Sequence, residues 1–300
     1  MNDSLSVKVR NSIDRLKMFS PDDDKYYVCY SGGKDSDVLK ILCELSNVPY
    51  ELHYNLTTAD APETVQYIKS QSNIIIEKAR YSDGTHKTMW NLIPNHKIPP
   101  TRQHRYCCQE LKEFGGKGRL KVVGVRWAES RTRSENSALV MITGKPKKVT
   151  KFLEENYIPY DKNKKSGVIM NYDNSESRRA VEFCYRTTNT MISPIIDWSD
   201  NDVWEFLNYY GCKSNPLYQC GFGRVGCIGC PLSTYKNMKR EFSLYPKFRD
   251  NYINAFSHMV DKRRTEKNDS FWTSGEEVYK WWVGLDHNQL QFDGFTLDDL

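Results

Sequence analysis

The stretch Lys25-Tyr26-Tyr27-Val28-Cys29-Tyr30-Ser31-Gly32-Gly33-Lys34-Asp35-Ser36 decides how this chain is read. Its first six residues are rich in aromatic and β-branched side chains and read as a buried strand. Beyond it, Val38, Leu39, Ile41, Leu42 and Leu45 recur at helical spacing. The order is therefore strand, tight loop, helix. Two glycines let backbone amides approach an anion with no Cβ in the way. The helix start adds free N–H groups and a positive dipole end. Lys34 supplies a charge for phosphate, Asp35 is placed to orient a nucleotide or help hold Mg²⁺, and Ser31 and Ser36 offer hydroxyls. The spacing is not G-x-x-x-x-G-K-[ST], so γ-phosphate chemistry of the kinase or GTPase type is not indicated. A bare Gly-Gly would read as a turn before a capped helix; the whole string reads as an anion site.

Outward from this unit the pattern repeats. Tyr50 to Leu56 reads as a second strand, and Ala61 to Ser70 as a helix with Asp60 as N-cap and Pro62 near its first turn. Asn73 to Lys78 and Leu120 to Val125 read as further strands. Such alternation predicts an α/β fold: an open, mainly parallel, twisted sheet with helices on both faces. Residues 134–180 carry Lys145, Lys147, Lys148, Lys151, Lys162, Lys164 and Lys165 in a polar stretch with little apolar periodicity, which reads as an insertion or mobile excursion. Order resumes at Met191 to Ile196. A helix follows from about Asp200 to Tyr210, capped by Ser199 and stopped at Gly211. The expected division is a nucleotide-binding α/β domain over 1–200 and a cysteine-containing, mostly helical region over 201–300.

Hydrophobic residues make up 39% of the 300 and charged residues 27%, as in a soluble globular protein. The N-terminus lacks the apolar run of a signal peptide. No stretch approaches the roughly 18 apolar residues of a membrane span. A cytoplasmic location with no membrane partner is the default expectation. The net charge of +5 permits an anionic substrate without demanding one.

Nine cysteines without a secretion signal favour metal or redox roles over disulfides. Cys107-Cys108 lies near mid-chain, and Cys220, Cys227 and Cys230 form a C-x6-C-x2-C group. Thiolates suit iron–sulfur clusters or Zn²⁺. Cys29, Cys43, Cys184 and Cys212 read as small packed residues. The six histidines form no metal-like spacing.

The loop Ser31–Ser36 resembles the PP-loop of the ATP pyrophosphatases, whose fold is of the adenine nucleotide alpha-hydrolase type. Four further segments are similar to motifs of the phosphoadenosine phosphosulfate (PAPS) reductase superfamily. These are Thr57-Thr58-Ala59-Asp60-Ala61-Pro62-Glu63-Thr64, Gly124-Val125-Arg126-Trp127-Ala128-Glu129-Ser130-Arg131, and the cysteine pairs Arg105-Tyr106-Cys107-Cys108 and Cys227-Ile228-Gly229-Cys230-Pro231. The resemblance runs from about residue 26 to 256. It implies ATP at the carboxyl ends of the strands, with Thr57, Asp60, Glu129 and Arg131 beside the loop residues. It also implies an anion-binding role for Arg126 and for Arg131 or Arg133. Lys34, Asp35 and Arg126 become the candidate catalytic residues. Between cluster and zinc, the resemblance favours a 4Fe–4S cluster, on Cys107, Cys227, Cys230 and either Cys108 or Cys220.

Sulfonucleotide reductases carry a nucleophilic cysteine in a C-terminal tail, whereas the last cysteine here is Cys230. The expected activity is therefore ATP-dependent adenylylation of an acceptor followed by sulfur transfer. DNA phosphorothioation ATP pyrophosphatases and similar phage and bacterial members are the nearest in character. The implied partners are a DNA or RNA acceptor, a cysteine-desulfurase-like sulfur donor and a second copy of the chain. A reductase drawing on an external thiol and a non-catalytic nucleotide or redox sensor are the alternatives.

Overall fold

The structure is a computed structural model. It describes all residues except 145, 164–165, 186–187, 267–271 and 286–300, with nothing described of the Pro146 side chain. In chain order the elements are α1 (Asp3–Met18), β1 (Tyr26–Cys29), α2 (Lys34–Ser46), β2 (Tyr50–Asn55), α3 (Pro62–Ser70), β3 (Ile74–Glu77), α4 (Met89–His96), α5 (Tyr106–Leu111) and β4 (Lys121–Val122). There follow α6 (Arg131–Asn136), β5 (Val140–Thr143), α7 (Pro146–Glu155), β6 (Asp161–Lys162), β7 (Val168–Met170), α8 (Ser175–Tyr185), β8 (Asn189–Ile192) and α9 (Asp200–Tyr209). The last helices are α10 (Tyr235–Leu244), α11 (Pro246–Thr265) and α12 (Gly275–Trp282).

These elements form two compact units that interleave along the sequence. The first comprises 1–55, 62–77 and 114–225, and the second 56–61, 78–113 and 226–300. The linear division at residue 200 therefore differs from the compact units. The chain leaves the sheet after β2 and again after β3, and those excursions join the cysteine-bearing C-terminal segment.

The first unit is built on an eight-stranded sheet in the order β3-β2-β1-β4-β8-β5-β7-β6. The strands β3, β2, β1, β4 and β8 run parallel, and β5, β7 and β6 are antiparallel additions. The sheet is thus α/β and mostly parallel, as expected. The order reverses at β1, which lies between β2 and β4, and such a switch point opens a crevice at the carboxyl ends of the strands. On β1, Tyr26, Tyr27 and Val28 are buried. On α2, Val38, Leu39, Leu42 and Cys43 are buried on the face set by their spacing. The helix α1 packs on α2, and its Lys8 pairs with Asp202 of α9 at 2.6 Å.

The lysine-rich segment differs from its expectation. It supplies β5, α7, β6, β7 and α8 and extends the sheet. On α7, Val149 and Leu153 are buried four residues apart while Lys147, Lys148 and Lys151 are exposed. Lys145, Lys164 and Lys165 lie outside the described residues.

The second unit is helical. Its α11 packs on α4 and α12 around an aromatic core, in which Tyr252 and Trp282 have ring centroids 4.8 Å apart. Among the described residues, no helix is long and apolar enough to cross a membrane.

Candidate functional site

The loop Ser31–Gly33 leaves β1 at the switch point and enters α2. Gly32 has φ 71°, and a Cβ there would lie 2.9 Å from the Ile68 side chain, so glycine is required on both counts. The loop is closed internally. Ser36 donates its hydroxyl to the Gly33 carbonyl at 2.8 Å. Fully buried Asn215 donates Nδ2 to the Gly32 carbonyl at 3.2 Å and to the Thr64 hydroxyl at 3.1 Å.

A charged cluster stands at the start of α2. Lys34 Nζ lies 3.2 Å from both Asp35 and Asp200. Arg126, only 1% exposed, donates Nε to Asp35 Oδ1 at 2.7 Å and Nη2 to Asp200 Oδ1 at 2.8 Å. Its Nη1 donates to the Trp198 carbonyl at 3.2 Å, and its own backbone N–H donates to Glu129 Oε2 at 3.1 Å. Burial works against charge on Asp200, but Arg126 and Lys34 outweigh it and hold the carboxyl below its ordinary pKa. Gly124 permits the close approach of these loops, since a Cβ there would lie 3.0 Å from Asp35 Cβ.

Of the expected arginines, Arg126 is engaged with the two carboxylates. Arg133 bonds Glu129, and burial followed by neighbouring Arg224 and Arg126 depresses its pKa. Arg131 is 93% exposed and pairs with Glu135. Asp200, Asn215, Tyr218 and Arg224 were absent from the sequence-based set. Asp200 had a detectable signal, as an acid in the first turn of a capped helix, but that signal reads equally as a dipole effect.

Thr57, Asp60, Cys107, Cys108, Cys227 and Cys230 all belong to the second unit, whereas Cys220 belongs to the first and is exposed. The Cys227 turn is tightly seated. The Ile228 N–H donates to the Ala59 carbonyl at 2.8 Å, Tyr252 donates its hydroxyl to the Ile228 carbonyl at 3.0 Å, and the Gly229 N–H donates to Glu241 at 2.8 Å. Gly229 has φ 68°, and a Cβ there would lie 2.4 Å from the Phe242 ring. Thr57 Oγ1 is 3.3 Å from Cys227 Sγ, and the Asp60 carboxylate accepts from the Thr57 N–H at 2.7 Å. These two residues attend Cys227 in the second unit.

The cysteines form one electrostatic neighbourhood. Cys107 donates to Cys108, and that bond, burial, and the nearby Cys108, Cys227 and Cys230 sulfurs raise the Cys107 thiol. The same bond lowers Cys108 to about 6, aided by Lys112 and Arg105 against burial. Burial raises Cys227, opposed by Lys112. In return the Cys227 sulfur, to which Lys112 hydrogen-bonds, raises the lysine against burial. Among the described residues, no three His, Cys, Asp or Glu side chains converge in the geometry of a metal site. The donors gathered in this neighbourhood are the sulfurs of Cys107, Cys108, Cys227 and Cys230 beside the Lys112 ammonium, and soft sulfur donors beside a cation are the chemistry that a thiolate-ligated, negatively charged group would need.

The phosphoadenosine phosphosulfate reductase domain family matches residues 25–233. The chain belongs to that family. It is similar to an uncharacterized protein of Methanocaldococcus jannaschii, 25% identical over 238 residues, covering 75% of this chain and 46% of that one. A shorter match is to the adenosine 5'-phosphosulfate reductase of Anoxybacillus flavithermus, 30% identical over 66 residues, or 21% of this chain and 28% of that one. Among solved structures, the PAPS reductase of Candida auris in a phosphate complex has a TM-score of 0.42 at 12% identity, covering 76% of this chain and 96% of that one. The chain spans about half the length or less of the curated relatives it matches.

Proposed function

We propose that this protein is an ATP-dependent enzyme that cleaves ATP between the α- and β-phosphates and adenylylates an acceptor oxygen. The observation that carries this reading is the glycine loop at the switch point, with Lys34, Asp35, Arg126 and Asp200 gathered at the helix start. The acceptor oxygen attacks the α-phosphorus and pyrophosphate leaves with the electron pair of the broken P–O bond. A sulfur nucleophile then displaces AMP, so one difficult displacement becomes two easier ones. The loop amides hold the polyphosphate, Lys34 offsets its charge, and Arg126 fixes the Asp35 carboxylate. Asp35 and Asp200 would hold Mg²⁺, which supplies charge neutralisation on the leaving group.

A DNA or RNA acceptor, a sulfur-donor protein of the cysteine-desulfurase type and a homo-oligomer belong to this reading. So does a 4Fe–4S cluster on Cys107, Cys108, Cys227 and Cys230, which would supply redox or sulfur chemistry. Cys108 lies with Cys107, Cys227 and Cys230 in the second unit whereas Cys220 belongs to the first, which favours Cys108 as the fourth ligand. Zn²⁺ on the same thiols is the competing occupant.

The test is incubation with α- and γ-labelled ATP, Mg²⁺ and nucleic acid under anaerobic conditions. AMP and pyrophosphate are expected; ADP and orthophosphate would sink the reading. The names of the reductase relatives favour a second reading, reduction of an adenylylated sulfate with an external thiol. Thioredoxin-dependent sulfite release would identify it.

A further inference from the structure

The turn Pro216–Tyr218 lies in the same unit as the phosphate loop and is fastened to it. Asn215, which bonds the Gly32 carbonyl, also accepts from the Leu217 N–H at 3.1 Å, and Leu217 is buried. The turn holds the Tyr218 ring edge-on to Trp204, with centroids 5.0 Å apart at 90°. In that pose the Lys34 N–H donates to the Tyr218 hydroxyl oxygen at 2.9 Å. The Val225 amide lies close enough to favour the ionised form of this hydroxyl. A Cβ on Gly33 would meet this oxygen at 3.3 Å, so the glycine leaves the phenol room at the loop.

Lys34 opens α2, so its N–H is one of the helix-end donors without an intrahelical partner. A phenol has two lone pairs and one proton. One lone pair is taken by an amide at the positive end of a helix dipole. Among the described residues no acceptor is hydrogen-bonded to the phenol proton. An amide donating into the oxygen polarises the O–H and strengthens it as a donor. Burial, followed by the nearby Asp35 and Asp37, pushes the phenol up to about 12 even though the two amides pull it down. The hydroxyl therefore stays protonated at neutral pH.

We propose that Tyr218 is a phosphate-recognition residue of this loop, donating its O–H to a β- or γ-phosphate oxygen of bound ATP and to the departing pyrophosphate. This rests on the loop being the polyphosphate site. A hydrogen bond to a charged acceptor is about twice as strong as a neutral one, so the contact strengthens as negative charge accumulates on the leaving group.

The test is calorimetric binding of Mg²⁺-pyrophosphate and, separately, of AMP to the full chain and to Tyr218→Phe. The substitution keeps the ring against Trp204. Pyrophosphate affinity is expected to fall roughly 10-fold, the loss typical of a hydrogen bond to a charged group, with AMP affinity unchanged. Equal or tighter pyrophosphate binding by the variant would overturn the proposal, as would equal losses for both ligands or no pyrophosphate binding by wild type. Site-specific 3-fluorotyrosine at position 218 serves if Tyr218→Phe does not fold. It makes a stronger donor in the same shape and should tighten pyrophosphate binding, and unchanged or weaker binding would overturn the proposal. If pyrophosphate binding responds as expected while ATP yields ADP, recognition by Tyr218 stands and α/β cleavage falls.

Discussion

Arg126 Nε lies 2.7 Å from Asp35 Oδ1, a bond that joins the loop after β4 to the start of the helix after β1. The two loops flank the switch point of the sheet, so this ion pair sets the width of the crevice where an open α/β sheet places its ligand. Arg126 is almost fully buried and its guanidinium bridges Asp35 and Asp200. Its planar fork suits that bridging role, which a lysine cannot reproduce.

Arg126→Lys should therefore retain the fold and lose most activity, by about 100-fold in kcat. Arg126→Met should also destabilise, by about 1–3 kcal/mol, because it removes the bridge to Asp35 and Asp200 and leaves the Trp198 carbonyl without its donor. Denaturant unfolding and steady-state turnover of both variants check this. Wild-type turnover in Arg126→Lys would mean that the bridge does not position Asp35.

Gly124→Val should be as damaging as loss of the ion pair, without touching a charge. A Cβ at 124 would already press on Asp35 at 3.0 Å, and two further methyls force the loops apart. Turnover is expected to fall at least about 100-fold, the scale of a 1 Å misplacement at a reacting centre. Normal turnover would show that the approach is not needed.

Asp37 makes stability pH-dependent. It is buried, Tyr30 donates to its Oδ1 at 2.5 Å, and the Tyr67 hydroxyl also favours its ionised form. Burial raises its pKa from 3.8 to about 6, against the Tyr30 hydrogen bond. A raised carboxyl means that the native state holds the proton more tightly than the unfolded state. The contribution is complete below about pH 4 and is lost as pH rises through about 6. At ~1.4 kcal/mol per pKa unit the change amounts to roughly 3 kcal/mol. Asp37→Asn should gain stability relative to wild type by up to that amount between pH 4.5 and pH 8, measured by urea unfolding. A pH-independent difference would count against it.

The sequence made the parallel half of the sheet legible because β1 to β3 alternate with helices and are apolar enough to be found. The antiparallel half escaped. Its strands are two to four residues long, and lysines on the exposed face of α7 mask Val149 and Leu153. The loop residues Ser31 to Ser36 were legible because only that string supplies glycines, cation and carboxylate at one helix start. Tyr218 and Asn215 were not, since they reach the loop from 184 and 183 residues away in sequence. Lys112 was hidden for a different reason: nothing in a lysine's sequence context reveals a thiol partner contributed by Cys227.

The thiol cluster makes a prediction that separates its two candidate occupants. Anaerobically purified protein should be brown and carry about four iron and four sulfide per chain. Cys227→Ser and Cys230→Ser should bleach it. Cys108→Ser should do the same and Cys220→Ser should not, given that Cys108 shares the second unit with Cys107, Cys227 and Cys230 and Cys220 does not. Stoichiometric zinc with no iron would assign the thiols to Zn²⁺.

The last prediction concerns the acceptor. Lys147, Lys148 and Lys151 are exposed on α7, and Lys162 lies over the Tyr160 ring. Of the aromatic side chains near them, Phe152 is stacked on Phe183 at 4.3 Å and Tyr160 donates its hydroxyl to Glu154 at 2.7 Å. Tyr157 is 92% exposed and has φ 55°, an uncommon conformation for a bulky residue and one that presents the ring to solvent. An unpaired base stacked there would contribute about 1–3 kcal/mol, so Tyr157→Ala should weaken binding of single-stranded oligonucleotide by about 5- to 150-fold. Each lysine that meets a phosphate adds about 0.7 to the salt slope for a single strand. Changing Lys147 and Lys148 to Gln should therefore flatten the log–log salt dependence by about 1.4. Adding Lys164→Gln and Lys165→Gln should flatten it further. The stacking loss and the slope change are independent readouts, since a neutral ring does not alter counterion release. Fluorescence anisotropy across 50–200 mM salt, a range in which a backbone-binding protein loses affinity steeply, measures both. If neither the affinity nor the slope moves, the segment is a solvated surface and a nucleic-acid acceptor loses its main structural support.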